Sequence, residues 1–114
     1  IANAAWAFAC IGWSCLDFFV ALLSALGTVN HASLNNDIVL SQLYMVSLHF
    51  HQEFPGHTFP LAHIQFELLT AFKRHEPKPS KLQRDAAAAL TRIGWDHTFE
   101  FKTREGLSLD MAQP

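Results

Sequence analysis

Apolar positions change their rhythm twice along the chain. From Ala2 to Val29 the sequence is dense in Ala, Leu, Phe and Trp and carries one charge, Asp17. Gly12, Ser14 and Gly27 punctuate it, which predicts a short helix ending near Ile11 and a second running from about Cys15 to Leu26. The alternative is one continuous span over residues 4 to 29, about 26 residues and roughly 39 Å long, enough to cross a bilayer. Asp17 weighs against it, because an Asp near the middle of a membrane helix costs about 2.5 to 3.5 kcal/mol. Residues 28 to 37 form a polar connection with several candidate N-caps. Val39, Leu40, Leu43, Val46 and Phe50 then recur at helical spacing, predicting a third helix from about Asp37 to Gln52 that Phe54-Pro55-Gly56 ends. Pro60 suits the first turn of a fourth helix built on Leu61, Ile64, Leu68 and Phe72. Lys73, Arg74 and His75 close it favourably for the helix dipole, and Pro77 and Pro79 forbid continuation.

Beyond this linker the pattern changes. Ser80-Lys81-Leu82-Gln83 has the form of a capping box, Leu82, Ala86, Ala89, Leu90 and Ile93 make one apolar stripe, and Gly94 is placed to stop the helix. Phe99, Phe101 and Thr103 alternate with Glu100, Lys102 and Arg104. Glu105-Gly106 turns the chain, and Leu107, Leu109 and Met111 alternate with Ser108 and Asp110, which reads as a hairpin with one apolar and one charged face. The expected organisation is a helical region over residues 1 to 76, a Pro-rich linker over 77 to 80, and a helix with a β-hairpin over 81 to 114 that opens an unfinished α/β unit. The expected fold class is mainly α.

Composition narrows what such a chain does. Half of its 114 residues are apolar and 16% are charged, so it can bury one core. A net charge of −2 excludes a uniformly basic nucleic-acid coat and a polyacidic tail. The average hides an asymmetry: all eight basic residues lie between Lys73 and Arg104, where four acids leave a balance of +4, whereas residues 1 to 72 carry four acids and no Lys or Arg. Cys10 and Cys15 lack the paired spacing of a zinc site and read as small buried residues. His49, His51, His57 and His63 fall close together, but on a helix His49 and His51 point about 200° apart and do not chelate one ion. No Gly-rich phosphate loop or nucleophile elbow is present, and neither a metal nor another cofactor is expected.

The chemistry that remains is electrostatic. Lys73, Arg74, Lys78, Lys81, Arg84 and Arg92 are the candidate phosphate contacts, because recognition of a nucleic-acid backbone needs several cations along one track. The competing reading is a solvated helix face. Trp6, Trp13, Phe18 and Phe19 read as core rather than as base-stacking platforms, since stacking residues are normally interleaved with cations.

Two segments resemble known families. Ala-Asn-Ala-Ala-Trp-Ala-Phe-Ala-Cys-Ile-Gly, residues 2 to 12, resembles the helical repeats of octotricopeptide-type and FAST-kinase-like organellar proteins. Ser80 to Trp95, followed by Glu-Gly-Leu-Ser-Leu-Asp over residues 105 to 110, is similar to the approach to a RAP domain, and Leu40-Ser-Gln-Leu-Tyr44 resembles the helix that links repeats to such domains. The resemblance implies a short α-solenoid acting on mitochondrial or plastid RNA and closed by a nuclease-like α/β RAP unit. It makes Asp110 the counterpart of that unit's first strand acid, and its next strand would lie beyond Pro114. A metal-dependent nuclease needs several converging carboxylates, and Asp110 with Glu100 is not a full set, so no catalysis of its own is expected. With no initiator Met at Ile1, the chain reads as a piece of something longer. The expected function is organellar RNA binding in RNA processing, stability or ribosome assembly, with RNA or protein subunits of a large complex as partners. The alternatives are a structural subunit buried in such an assembly, or a membrane-embedded subunit with residues 4 to 29 as its span.

Overall fold

A computed structural model describes residues 1–28, 36–74 and 78–113. The protein is mainly helical with one small two-stranded antiparallel sheet, and it divides into two compact units, Ile1–Arg74 and His75–Pro114.

The first unit holds α1 (Ala2–Cys10), α2 (Leu16–Gly27), α3 (Asp37–Glu53) and α4 (Gln65–Lys73), the last preceded by a 3-10 turn over Ala62–Ile64. Residues 2 to 28 are thus two helices separated at Ile11–Cys15, and the continuous span over 4 to 29 is not formed. Among the described residues no helix is long and apolar enough to cross a membrane. The break has a local cause. The Gly12 N–H donates to the Ala9 carbonyl (3.0 Å) and the Trp13 N–H to the Phe8 carbonyl (2.9 Å), with Gly12 at φ 74°. This is a Schellman stop, which needs a left-handed residue that only glycine adopts without strain. Phe8 and Trp13 close it with a ring contact at 6.0 Å between centroids.

Helix α3 starts where the Asn36 side chain accepts the Ile38 N–H (2.9 Å). It is the central element, packing against α1 and α4 and burying Leu43, Tyr44, Val46, Ser47 and Phe50. Those positions sweep wide because neighbours cover the helix on more than one side. Phe19 and Leu23 from α2, Phe59, Leu61 and Leu68 complete the core. The His49 Nε2 donates to the Trp13 carbonyl (2.7 Å) and so ties the α1–α2 corner to α3. Ser47 is the one polar residue among the described ones to be fully buried; its hydroxyl donates to the Tyr44 carbonyl (2.6 Å) and accepts from Gln65 Nε2 (3.1 Å), linking α3 to α4.

Several expectations are corrected. Cys10 and Cys15 are exposed free thiols, because they flank the corner rather than face the core. Trp6 and Trp13 also remain exposed, while Phe19 is in the core and Phe18 half-buried. Pro60 lies in the turn before α4, which starts at Gln65 after the 3-10 turn. The polar connection at 29 to 35, and His75 and Pro77 of the linker region, lie outside the described residues.

The second unit holds α5 (Lys81–Arg92) and a hairpin of β1 (Thr98–Lys102) and β2 (Ser108–Ala112). The expected capping box is present: the Ser80 hydroxyl accepts the Gln83 N–H (3.2 Å), and the Gln83 side chain accepts the Ser80 N–H (2.5 Å). The other end repeats the Schellman stop of α1, with Gly94 N–H donating to the Thr91 carbonyl and Trp95 N–H to the Leu90 carbonyl, both at 3.0 Å. Both stops are spelled Ile-Gly-Trp, at 11–13 and 93–95. In the hairpin Phe99 pairs with Met111 and Phe101 with Leu109, which gathers the apolar residues as their alternation predicts. No described residue of this unit is fully buried. Ala86, Ala89 and Leu90 of the stripe are half-buried, but Leu82 and Ile93 at its ends are 78% and 77% exposed.

Truncating Phe50, which has no exposed surface, to Ala should destabilise the first unit by about 3–5 kcal/mol. Ser80→Ala should cost about 1 kcal/mol and act on α5 alone. Urea titrations followed by circular dichroism check both; equal effects of the two substitutions would contradict the two-unit division.

Candidate nucleic-acid interface

The six sequence-predicted cations have different surroundings. Lys73 is the last residue of α4, and Arg74, just beyond it, places Nη1 3.2 Å from the Asp37 carboxylate. Both belong to the first unit, and the other four belong to the second. Lys78 is exposed in the segment leading into α5. Lys81 opens α5 and donates to Asp85 (2.6 Å), one turn along the same exposed face. Arg84 donates through Nη1 to the Pro79 carbonyl (2.8 Å), which anchors the guanidinium beside the helix start. Four of its five N–H donors are left over from that bond. Arg92 closes the helix, where its charge complements the dipole.

Helical geometry brings three of them together. At about 100° per residue, Lys81 lies about 60° and Arg92 about 80° from Arg84, on the same side. The apolar stripe of Leu82, Ala86, Ala89, Leu90 and Ile93 points the opposite way. Cations and apolar residues of α5 thus occupy separate faces, which is the meaning of its strong amphipathic pattern.

A groove of about 680 Å³ runs along the Arg84 face. Arg84 and Thr91 border it from the helix, over a floor of small residues at Ala87, Ala88 and Gly94. A Cβ added at Gly94 would meet nothing within 4 Å, so the floor is open there. The opposite wall is Trp95, Asp96, His97 and Phe99. Trp95 and His97 are stacked, with centroids 5.2 Å apart and planes 14° apart. The His97 Nδ1 donates to the Trp95 carbonyl (2.9 Å), which fixes the imidazole against the indole. Trp95 is not among the aromatics Trp6, Trp13, Phe18 and Phe19 weighed above as stacking platforms. Its signal was available: Trp95 follows Arg92 by three residues, the interleaving of ring and cation that the other aromatics lack.

The carboxylates do not assemble a metal centre. Asp110 and Glu100 fall opposite each other between the Phe99–Met111 and Phe101–Leu109 pairs. Glu100 stands at φ 53° in the left-handed region, and its carboxylate accepts the Ser108 hydroxyl (2.8 Å). Among the described residues no group of three or more His, Cys, Asp or Glu is placed to hold a metal ion. His49 and His51 also use one ring nitrogen each as donors, to the Trp13 and Ser47 carbonyls.

No protein-family model, no curated protein and no solved structure matches the chain.

The Lys81–Asp85 pair is solvated on both sides, so Lys81→Ala should change stability by no more than about 0.5 kcal/mol. A larger loss in chemical denaturation would assign Lys81 a structural role rather than one at a surface awaiting a ligand.

Proposed function

We propose that the chain is an RNA-binding module of an organellar protein, acting in RNA processing, stability or ribosome assembly and performing no catalysis of its own. The observation that carries this reading is the segregation of α5, with Lys81, Arg84 and Arg92 within about 80° of one another and Lys78 just ahead of the helix. Phosphates repeat along a strand, so a row of side chains reaching from one helix face matches them, and release of counterions drives the association. The all-helical make-up of the first unit supports its reading as the end of an α-solenoid. The capped helix and hairpin of the second support its reading as the opening of a RAP-like unit. Organelle and RAP assignment rest on the sequence resemblance at residues 2 to 12, 40 to 44, 80 to 95 and 105 to 110.

A second reading is favoured by other observations. Leu82, Ile93 and Ile11 are large apolar side chains left mostly exposed, and such side chains are suited to burial against protein. On that reading the chain is a structural subunit of a large assembly, and its cations are a solvated face.

Salt dependence separates the two. Contact with about four phosphates of a single strand should give a slope near −3 in log K against log salt, about a 50-fold loss between 50 and 200 mM. Lys81→Glu combined with Arg84→Glu should weaken RNA binding at least 10-fold at about 0.1 M salt. Affinity for RNA that ignores both salt and the double reversal would rule the RNA reading out, and salt-insensitive association with protein would establish the scaffold.

A further inference from the structure

The groove beside Arg84 has a composition that phosphate contact alone does not call for. A site for phosphate groups only is lined by cations and backbone N–H groups; this one also contains a stacked aromatic pair and the Asp96 carboxylate, which repels phosphate. The combination fits a short stretch of nucleic-acid strand, phosphate and base together. Arg84 supplies the cation for a backbone phosphate, and its bond to Pro79 holds it in place before any ligand arrives. Trp95, a third exposed and with its ring stacked on His97, supplies a flat surface on a backbone held by the Leu90 carbonyl and by His97. Asp96 supplies an acceptor, which suits the amino and imino N–H groups on the edge of a base and nothing on a phosphodiester.

We infer that this groove seats single-stranded RNA, with one unpaired base stacked on Trp95 and a phosphate further along the same strand on Arg84, at the other end of α5. The inference rests on the RNA-binding reading above and adds to it the form of RNA and the side chain that recognises it. A base inside a duplex is stacked on its neighbours and presents no free face, so duplex RNA offers the groove nothing but phosphates.

The full chain carrying Trp6→Phe and Trp13→Phe leaves Trp95 as the sole indole and makes its fluorescence a reporter of the groove. It is titrated with a single-stranded RNA of about 12 nucleotides, with an abasic ribose-phosphate oligomer of the same length, and with the duplex of the same sequence. The expected result is quenching by the single strand alone, with the abasic oligomer and the duplex binding more weakly and leaving the fluorescence unchanged. In the otherwise native chain, Trp95→Leu, which keeps an apolar side chain at the helix stop, should lower affinity for the single strand by about 10-fold to 100-fold, and Trp95→Phe should retain most of it. Salt-dependent binding that is equal for base-bearing and abasic oligomers, with no change in fluorescence, overturns the inference and leaves the RNA reading standing. Absence of binding to all three overturns both.

Discussion

Burial of helix α3 is the constraint on which the first unit depends. Leu43, Tyr44, Val46, Ser47 and Phe50 turn through too wide an arc for one neighbour to cover, so α1 and α4 must close on different sides of the same helix. Polar groups buried there need partners, and the need is met in part: the Ser47 hydroxyl serves Tyr44 of its own helix and Gln65 of the next, whereas Gln42 Oε1 and Gln65 Oε1 are buried without one. A buried hydroxyl satisfied in two directions fixes the rotation of α4 about α3 as well as its distance. The α1–α2 corner is held in a similar way, by a side chain of α3 reaching a backbone carbonyl through His49. His49 and His51, which the sequence sets too far apart around the helix to chelate one ion, are structural donors to the Trp13 and Ser47 carbonyls.

The second unit is built on the opposite principle. With no described residue fully buried, its order comes from local bonds: a capping box at one end of α5, a Schellman stop at the other, and a hairpin closed by the Gly106 N–H on the Thr103 carbonyl (3.0 Å). The Ile-Gly-Trp stop serves both units with different results. At Trp13 the following chain turns back into a helix, the ring lies against Phe8, and His49 of α3 takes the backbone carbonyl. At Trp95 the following chain leads into a strand, and the ring lies against His97, its own near neighbour, at the edge of a groove. One tripeptide ends two helices; what the tryptophan does next is decided by what packs behind it.

This distinction marks what was legible in the sequence. Most helix limits were readable because caps, prolines and glycines act within a few residues: α3 was expected over Asp37–Gln52 and runs over Asp37–Glu53, and the Ser80–Gln83 box is formed by the residues that spelled it, whereas Pro60 did not open α4, which starts at Gln65. The paired Phe and Leu positions of the hairpin follow from alternation alone. Burial was harder to read, since it depends on neighbours distant in sequence. Cys10 and Cys15 sit in an apolar stretch yet face out, and Leu82 and Ile93 extend the stripe of α5 without being covered. The candidate site was half legible: Arg84 and its companions on α5 stand out as charges, whereas the groove needs the chain to double back after Gly94 and bring Trp95, Asp96 and His97 alongside the helix.

The described part of the second unit is held by local caps and turns, the Ser80 cap being worth about 1 kcal/mol. A ligand that prefers the folded form adds stability that grows with the logarithm of its concentration over its dissociation constant. The parts that define the groove are the same parts that define the fold. Arg84 is anchored on the residue preceding the Ser80 cap, and Trp95 is the residue that completes the helix stop. A ligand bridging them would clamp both ends of α5 at once, and its binding free energy would add to the folding free energy of this unit.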